Sequence, residues 1–76
     1  MIEELDRVVL TEDLADYDLK AGDVGTVVMV HGKQEGFEVE FMTLNGETIA
    51  VVTLLAVQVR PVQRGEITHA RKVAMA

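Results

Sequence analysis

The 76-residue sequence contains no cysteine, no serine and no tryptophan, and its single proline is Pro61. Without cysteine the fold has neither disulfides nor thiolate metal ligands. The absence of both cysteine and serine also removes the commonest side-chain nucleophiles and leaves only threonines for that role. We therefore expect a non-enzymatic protein with no catalytic residue and no cofactor.

Aromatic side chains are nearly as scarce, because only Tyr17, Phe37 and Phe41 are present. SH3 domains that bind proline-rich peptides do so through an aromatic-lined groove, which one tyrosine cannot build. Proteins that bind single-stranded nucleic acids stack the bases on aromatic side chains. The composition argues against both ligand classes and indicates no small-molecule substrate.

Long apolar runs and basic residues are also few. No segment approaches the roughly 18–20 apolar residues that span a bilayer, and the first residues are acidic where a signal peptide is basic. This predicts a cytoplasmic protein with no membrane partner. The net charge is −6, with −9 in residues 1–47 and +3 in residues 48–76. Such acidity disfavours nucleic acid, and it leaves a solvated acidic face, head-to-tail self-contact or a basic protein partner open.

The most informative segment that is present runs from Leu19 to Val28. It places Gly22 and Gly25 on either side of Asp23, directly before a β-branched run. Glycine adopts positive φ without a Cβ penalty, so both glycines are predicted to form a tight turn that enters a strand. Asp23 is predicted to accept hydrogen bonds from the amides of this turn rather than to act as an acid or base.

The pattern of apolar residues and turns predicts five strands and a fold of the all-β class. Residues 24–31 are apolar enough to be buried on both faces for part of their length. Asn45-Gly46 suits a type I′ hairpin turn, residues 54–56 a single 3₁₀ turn, and Pro61 an edge strand. The predicted strands are residues 5–10, 24–31, 37–41, 48–53 and 57–62. Together they describe a five-stranded SH3-like barrel over residues 1–62, with one 3₁₀ turn before the last strand.

Residues 63–76 differ in character from the rest and form a separate tail. Ile67, Ala70, Val73 and Ala74 recur at helical spacing, which predicts a short C-terminal helix. A helix of this length is marginal alone. The pattern leaves open whether the tail docks on a barrel as a helix or is disordered.

The chain resembles a known family of small prokaryotic proteins over residues 2–62. The residues that carry the resemblance are 4–11, 19–28, 39–41, 46–48 and 59–62. The family is the domain of unknown function numbered 4926, and the element around Gly22 to Val27 is also similar to the KOW-type turn of SH3-like domains. Ala15 departs from an expected proline, and Val57 departs from an expected polar residue. The resemblance implies a free-standing module with no established activity, and an antitoxin or immunity role would suit it.

No motif in the chain fits a metal or phosphate site. The carboxylates of the long first loop invite a calcium interpretation, but an EF-hand that begins at Asp16 would need glycine and glutamate where Ala21 and Val27 stand. A P-loop fails at Gly32-Lys33 in both spacing and identity. His31 and His69 are isolated, so no metal site is expected, although the loop leaves the question open.

Three functional hypotheses follow. The first is a protein-interaction module that self-associates through the long loop and the tail, with Leu14, Tyr17, Leu19, Ile67, Ala70 and Val73 as the candidate contact residues. The simpler alternative is that these residues cover the core of their own barrel. The second is a KOW-like accessory domain that binds RNA or the ribosome through Arg7, Lys20 and Lys33. The third is an antitoxin-type partner of a small basic protein.

Overall fold

The computed structural model describes residues 1–75 and is all-β. Its strands are β1 (Arg7–Leu10), β2 (Val24–His31), β3 (Gly36–Met42), β4 (Thr48–Leu55) and β5 (Val59–Pro61). Two 3₁₀ turns join them, η1 (Ala15–Tyr17) in the long first connection and η2 (Ala56–Gln58) before β5. The predicted fold class and strand number are confirmed. The first 3₁₀ turn was not predicted, and the second begins at Ala56 because β4 continues through Leu55.

All five strands form one antiparallel sheet in the order β4-β3-β2-β1-β5. This arrangement is compatible with an SH3-like barrel, but no hydrogen bonds between described residues join β4 to β5, so the sheet stays open between its two edges. Pro61 lies in β5 at one of these edges, opposite Val8 of β1. A proline is tolerated there because an edge strand has unpaired positions for it.

The sheet curves around a single core to which every strand contributes. Its largest fully buried side chains are Phe37 and Phe41 of β3, Leu10 of β1 and Leu54 of β4. Leu19 of the first loop joins the same cluster. Because residues of both edge strands pack in this cluster, the core itself holds the ends of the open sheet together.

β2 is not buried on both faces, contrary to the prediction from its apolar run. Val27 is fully buried, whereas Val24, Val28 and Met29 are all exposed. The pairing of β2 with β3 shifts register between Val27 and Met29. This irregularity interrupts the alternation of the strand, and Val28 and Met29 stay exposed beside it.

The two hairpins form at the predicted places, but the Asn-Gly turn is not type I′. A type I′ turn requires positive φ at both central residues, and only Gly46 has it, at 92°. The Gly46 N–H donates to the Thr43 carbonyl, and the Thr43 N–H donates to the Glu47 carbonyl. The loop therefore has three residues, and glycine occupies its last position.

Gly25 also has a different role from the predicted one. Gly22 has φ of 94°, as a tight turn requires, but Gly25 does not have positive φ and belongs to β2. A Cβ added at Gly25 would lie 2.5 Å from Val39 Cγ1 and 2.9 Å from Phe41 Cε1. Gly25 is therefore needed for the close approach of β2 to core side chains rather than for the turn.

Residues 63–75 form no helix, so the described part of the tail does not take the helical alternative that the sequence left open. Ile67 is 92% exposed, so the apolar positions of the tail do not pack as a helix face would. A short helix without such packing is unstable in water. Ala76 lies outside the described residues.

Candidate interaction surfaces

The long first loop ends in a turn that is built by its own carboxylates. The Lys20 N–H donates to Asp23 Oδ2 at 2.8 Å, and the Ala21 N–H donates to Asp13 Oδ1 at 2.9 Å. Gly22 follows Ala21 and has a positive φ of 94°. As the sequence predicted, Asp23 accepts a hydrogen bond from the backbone of its own turn, and this bond fixes its carboxylate before β2.

The tail begins with an ion pair to the last strand. Arg60 of β5 donates through Nη1 and Nη2 to the two carboxylate oxygens of Glu66, at 2.9 and 2.8 Å. The Gln63 N–H donates to the same carboxylate at 2.6 Å. The hydrogen bonds from Arg60 and then from Gln63 lower the pKa of Glu66 to about 2. This bidentate contact directs the tail back across the sheet.

A second arginine fastens the tail to the turn of the long loop. Arg71 donates through Nε to Asp23 Oδ1 at 2.9 Å and through Nη2 to the Asp18 carbonyl at 3.0 Å. Its Nη2 also forms a very short hydrogen bond to Asp23 Oδ2. The guanidinium therefore engages both oxygens of Asp23 and a backbone carbonyl of the loop, which matches the planar geometry of arginine.

The charges at this contact are tuned by their surroundings. Burial raises the pKa of Asp23, but the hydrogen bonds from Arg71 and from the Lys20 amide outweigh burial, and the net pKa lies below the ordinary value. The hydrogen bond to Asp23 raises the pKa of Arg71, and the charges of Asp18 and Asp13 add to this effect. The loop thus provides an acidic binding site for the guanidinium of Arg71.

We expect the replacement of Arg71 by alanine to raise the pKa of Asp23, because the main partner of the carboxylate is lost while its partial burial remains. The measurement is an NMR titration of the Asp23 carboxyl carbon. Since the pKa of Asp23 is lower in the folded protein than in the unfolded chain, the contact contributes its full stability at pH values above the unfolded pKa. This contribution is lost as the pH falls through the folded pKa of Asp23. Lys72→Ala is the matched control and should leave the titration unchanged; an unshifted Asp23 in Arg71→Ala would contradict the contact.

The tail and the sheet enclose a cleft of about 470 Å³. Its apolar lining includes Val24 of β2, Phe41 of β3, Ile49 of β4 and Val73 of the tail, and Asp23 lies at its wall. Ile49 is partly buried and packs against the core. An apolar floor beside a fixed carboxylate is the composition of a site for a mixed apolar and cationic segment.

The outer edge of β4 is a second surface, because no described strand pairs with it. β4 has eight residues and pairs only with β3, and no charged residue lies between Glu47 and Arg60 in the sequence. Val51 is 53% exposed and Leu55 is 64% exposed on the face opposite the core. Monomeric proteins protect long edge strands with lysine, proline or bulges. β5, with three residues and Pro61, is protected in this way, whereas β4 has neither lysine nor proline, and its one irregularity, at Ile49, lies near its start.

The family model of the domain of unknown function DUF4926 matches residues 4–61. The chain belongs to the DUF4926 family. This confirms the family suggested by the sequence, and the match ends where the tail begins. Searches of curated proteins and of solved structures gave no significant match to this chain.

The DUF4926 chain places the three predicted contact residues of the long loop differently. Leu19 is only 3% exposed and belongs to the core, and Leu14 is partly buried against the core. Tyr17 is half exposed at the end of η1. The loop thus covers the core through its leucines, as the simpler alternative held, and Tyr17 alone of the three presents much surface to solvent.

In the tail of the DUF4926 chain, Ile67, Ala70 and Val73 all line the cleft. Ile67 and Ala70 are exposed, and Val73 is half-buried. Sequence reasoning missed Asp23 and Arg71 as a tail contact, since no local pattern joins residues so far apart. It also missed the β4 edge. The uncharged run of residues 48–59 is visible in the sequence, but its position at the edge of the sheet is not.

Two further observations concern the described part of the DUF4926 chain. In residues 1–75, no group of three or more His, Cys, Asp or Glu side chains is placed to hold a metal ion. No helix in the same residues has the length and apolar character needed to cross a membrane. The three basic residues of the RNA-binding hypothesis lie in different elements. Arg7 is in β1, Lys20 is in the loop before β2 and Lys33 is in the loop after β2.

Proposed function

We propose that this DUF4926 protein is a non-enzymatic interaction module that self-associates by pairing the β4 edges of two copies. The observation that carries the proposal is the length of this edge together with its lack of charge. On the side away from β3, the backbone groups of alternate residues in this eight-residue strand have no strand partner, and the exposed Val51 and Leu55 lie along it. Such an edge is a ready template for another strand.

A second copy is the partner that fits the edge best. Most soluble homo-oligomers are symmetric dimers in which the same patch meets itself. An antiparallel pair of β4 strands that is centred on Val51 would oppose the two Val51 side chains. No charged residue within β4 would face a like charge in any such register, whereas like charges directly opposite each other destabilise strand pairs.

The net charge gives the association a characteristic salt dependence. Each copy carries a charge of −6, so two copies repel each other at low ionic strength. Salt screens this repulsion over a Debye length of about 10 Å at 0.1 M. We therefore expect the dimer to become tighter as salt is added.

The test is sedimentation equilibrium of the wild type and of Val51→Lys over a range of concentrations. Val51 pairs with Glu40 in the sheet, so the new lysine gains an acidic neighbour within its own copy. Across the pair the two lysines would oppose each other, and the dimer dissociation constant should rise at least about tenfold.

Val57→Lys is the matched control, because Val57 is 76% exposed but lies in η2 rather than in β4. It should associate like the wild type. A wild type that stays monomeric at all concentrations, or a Val51→Lys variant with unchanged association, would overturn the proposal.

A further inference from the structure

We propose that the acidic turn at Asp23 and the adjoining cleft form a receptor for an extended, arginine-bearing segment of a partner protein, and that residues 67–75 occupy this receptor in cis. This interaction surface is separate in chemistry from the β4 edge and does not depend on self-association. Its partner is a peptide that places one arginine among small and apolar residues.

The tail is attached to the sheet as a bound segment rather than as an element of the fold. Residues 63–75 have no helix or strand, and none of them belongs to the core. Ile67 and Met75 are exposed although both line the cleft. Arg71 supplies the main polar contact from the middle of this segment, and the Ala74 N–H adds a long one of 3.5 Å to Asp18 Oδ2.

The acceptors of the receptor are held by contacts within the loop, which do not involve the tail. Asp23 is oriented by the Lys20 amide, which belongs to its own turn, at 2.8 Å. The carbonyl of Asp18 accepts a hydrogen bond from Arg71. Its direction is set by the left-handed backbone of Asp18 itself, whose φ is 55°. These acceptors are therefore arranged before any arginine arrives, and preorganised acceptors lose little entropy on binding.

The charge and the shape of the receptor also fit an arginine-bearing segment. A net charge of −9 in residues 1–47 attracts a basic segment, and complementary charge favours encounter and orientation. The cleft remains open beside the tail, with about 470 Å³ between the tail and the sheet. A segment with a larger apolar side chain next to its arginine would fill this volume better than Ala70, which precedes Arg71 in the tail.

The tail would therefore compete with a partner segment for the receptor. A segment tethered by a short linker has an effective concentration in the millimolar range. A free peptide must displace it, so removal of the tail arginine should open the receptor. The tail would thereby set a threshold affinity that a partner has to exceed.

The experiment uses the full chain and a labelled peptide that corresponds to residues 67–75, with binding followed by NMR shifts and fluorescence anisotropy. We expect the Arg71→Ala chain to bind this peptide at least tenfold more tightly than the wild type, and binding should weaken as salt rises. A peptide with its own Arg71→Ala change should lose binding at least tenfold, whereas the peptide with Lys72→Ala should keep most of it. Asp23→Asn in the Arg71→Ala chain should abolish binding.

Equal affinity of the wild type and Arg71→Ala, or no binding to either up to about 1 mM, which is within the tethered range, would overturn the proposal. Equal binding of the Arg71→Ala peptide would overturn it as well, and this arm does not depend on how the Asp23→Asn chain folds. The measurements are repeated with Val51→Lys added, so that failure of self-association leaves the peptide result unaffected. The opposite salt dependences of dimer and peptide binding separate the two proposals again.

Discussion

Phe41→Ala is expected to leave most of the protein unfolded at 25 °C. Phe41 is fully buried in β3, and its ring contacts the core beside Gly25 and beneath the cleft. Truncation of a buried phenylalanine costs about 3–5 kcal/mol. The core of a domain this small rarely supplies more than about 3–5 kcal/mol in total. One substitution therefore removes a free energy comparable to the whole stability.

Urea unfolding followed by circular dichroism measures this effect. Tyr17→Ala is the control among aromatic residues, because Tyr17 is half exposed in η1 and a surface change of this kind usually stays within about 0.5 kcal/mol. A Phe41→Ala protein that unfolds cooperatively with a loss below about 1 kcal/mol would contradict the description of the core.

Substitutions at Gly25 are expected to destabilise the fold in proportion to side-chain size. An added Cβ would lie 2.5 Å from Val39 Cγ1 and 3.0 Å from the Glu40 carbonyl, which is backbone and cannot rotate away. Overpacking of this kind costs about 1–3 kcal/mol for alanine. Leucine at the same position should cost more, since it adds volume to a space that is already filled.

Gly22, in the turn that precedes β2, provides the matched comparison. A Cβ at Gly22 would meet no atom within 4 Å, but the residue has φ of 94°. Its cost is therefore backbone strain of roughly 1–2 kcal/mol, which should be nearly the same for alanine and leucine. Thermal unfolding of the four variants tests this difference, and an equal dependence on size at both glycines would disprove the assignment of separate roles.

The fold could be predicted largely because its local signals agree with its topology. The strict alternation of residues 37–41 places Phe37, Val39 and Phe41 inside, and all three are buried. The single proline marks an edge strand, and β5 is that edge. Periodicity and turn chemistry act over a few residues, so they reach the strands without knowledge of the whole structure.

The errors occurred where a local signal met a tertiary constraint. Asn45-Gly46 favours a two-residue turn, but the register of β3 with β4 shifts after Phe41 and leaves a three-residue loop. The apolar run of β2 indicated double burial, yet Val28 and Met29 stay exposed beside the register shift. The helical spacing in the tail gave no helix, and Ile67 and Ala70 remain exposed.

The candidate surfaces were harder to predict than the fold. Arg71 and Asp23 are 48 residues apart, and nothing in either neighbourhood indicates the other. The uncharged run of β4 was visible, but an uncharged strand in the centre of a sheet is ordinary. Only the strand order places this run at an open edge, where it becomes a surface for a partner.

Amide hydrogen exchange at two protein concentrations tests the central claim, the pairing of β4 edges, most directly. Pairing gives hydrogen bonds to the outward amides of β4, so alternate residues in Thr48–Leu55 should exchange more slowly at high concentration. Amides of β5 at the protected edge should not change. If the exchange of β4 amides does not depend on protein concentration, the account is contradicted, whether or not other residues gain protection.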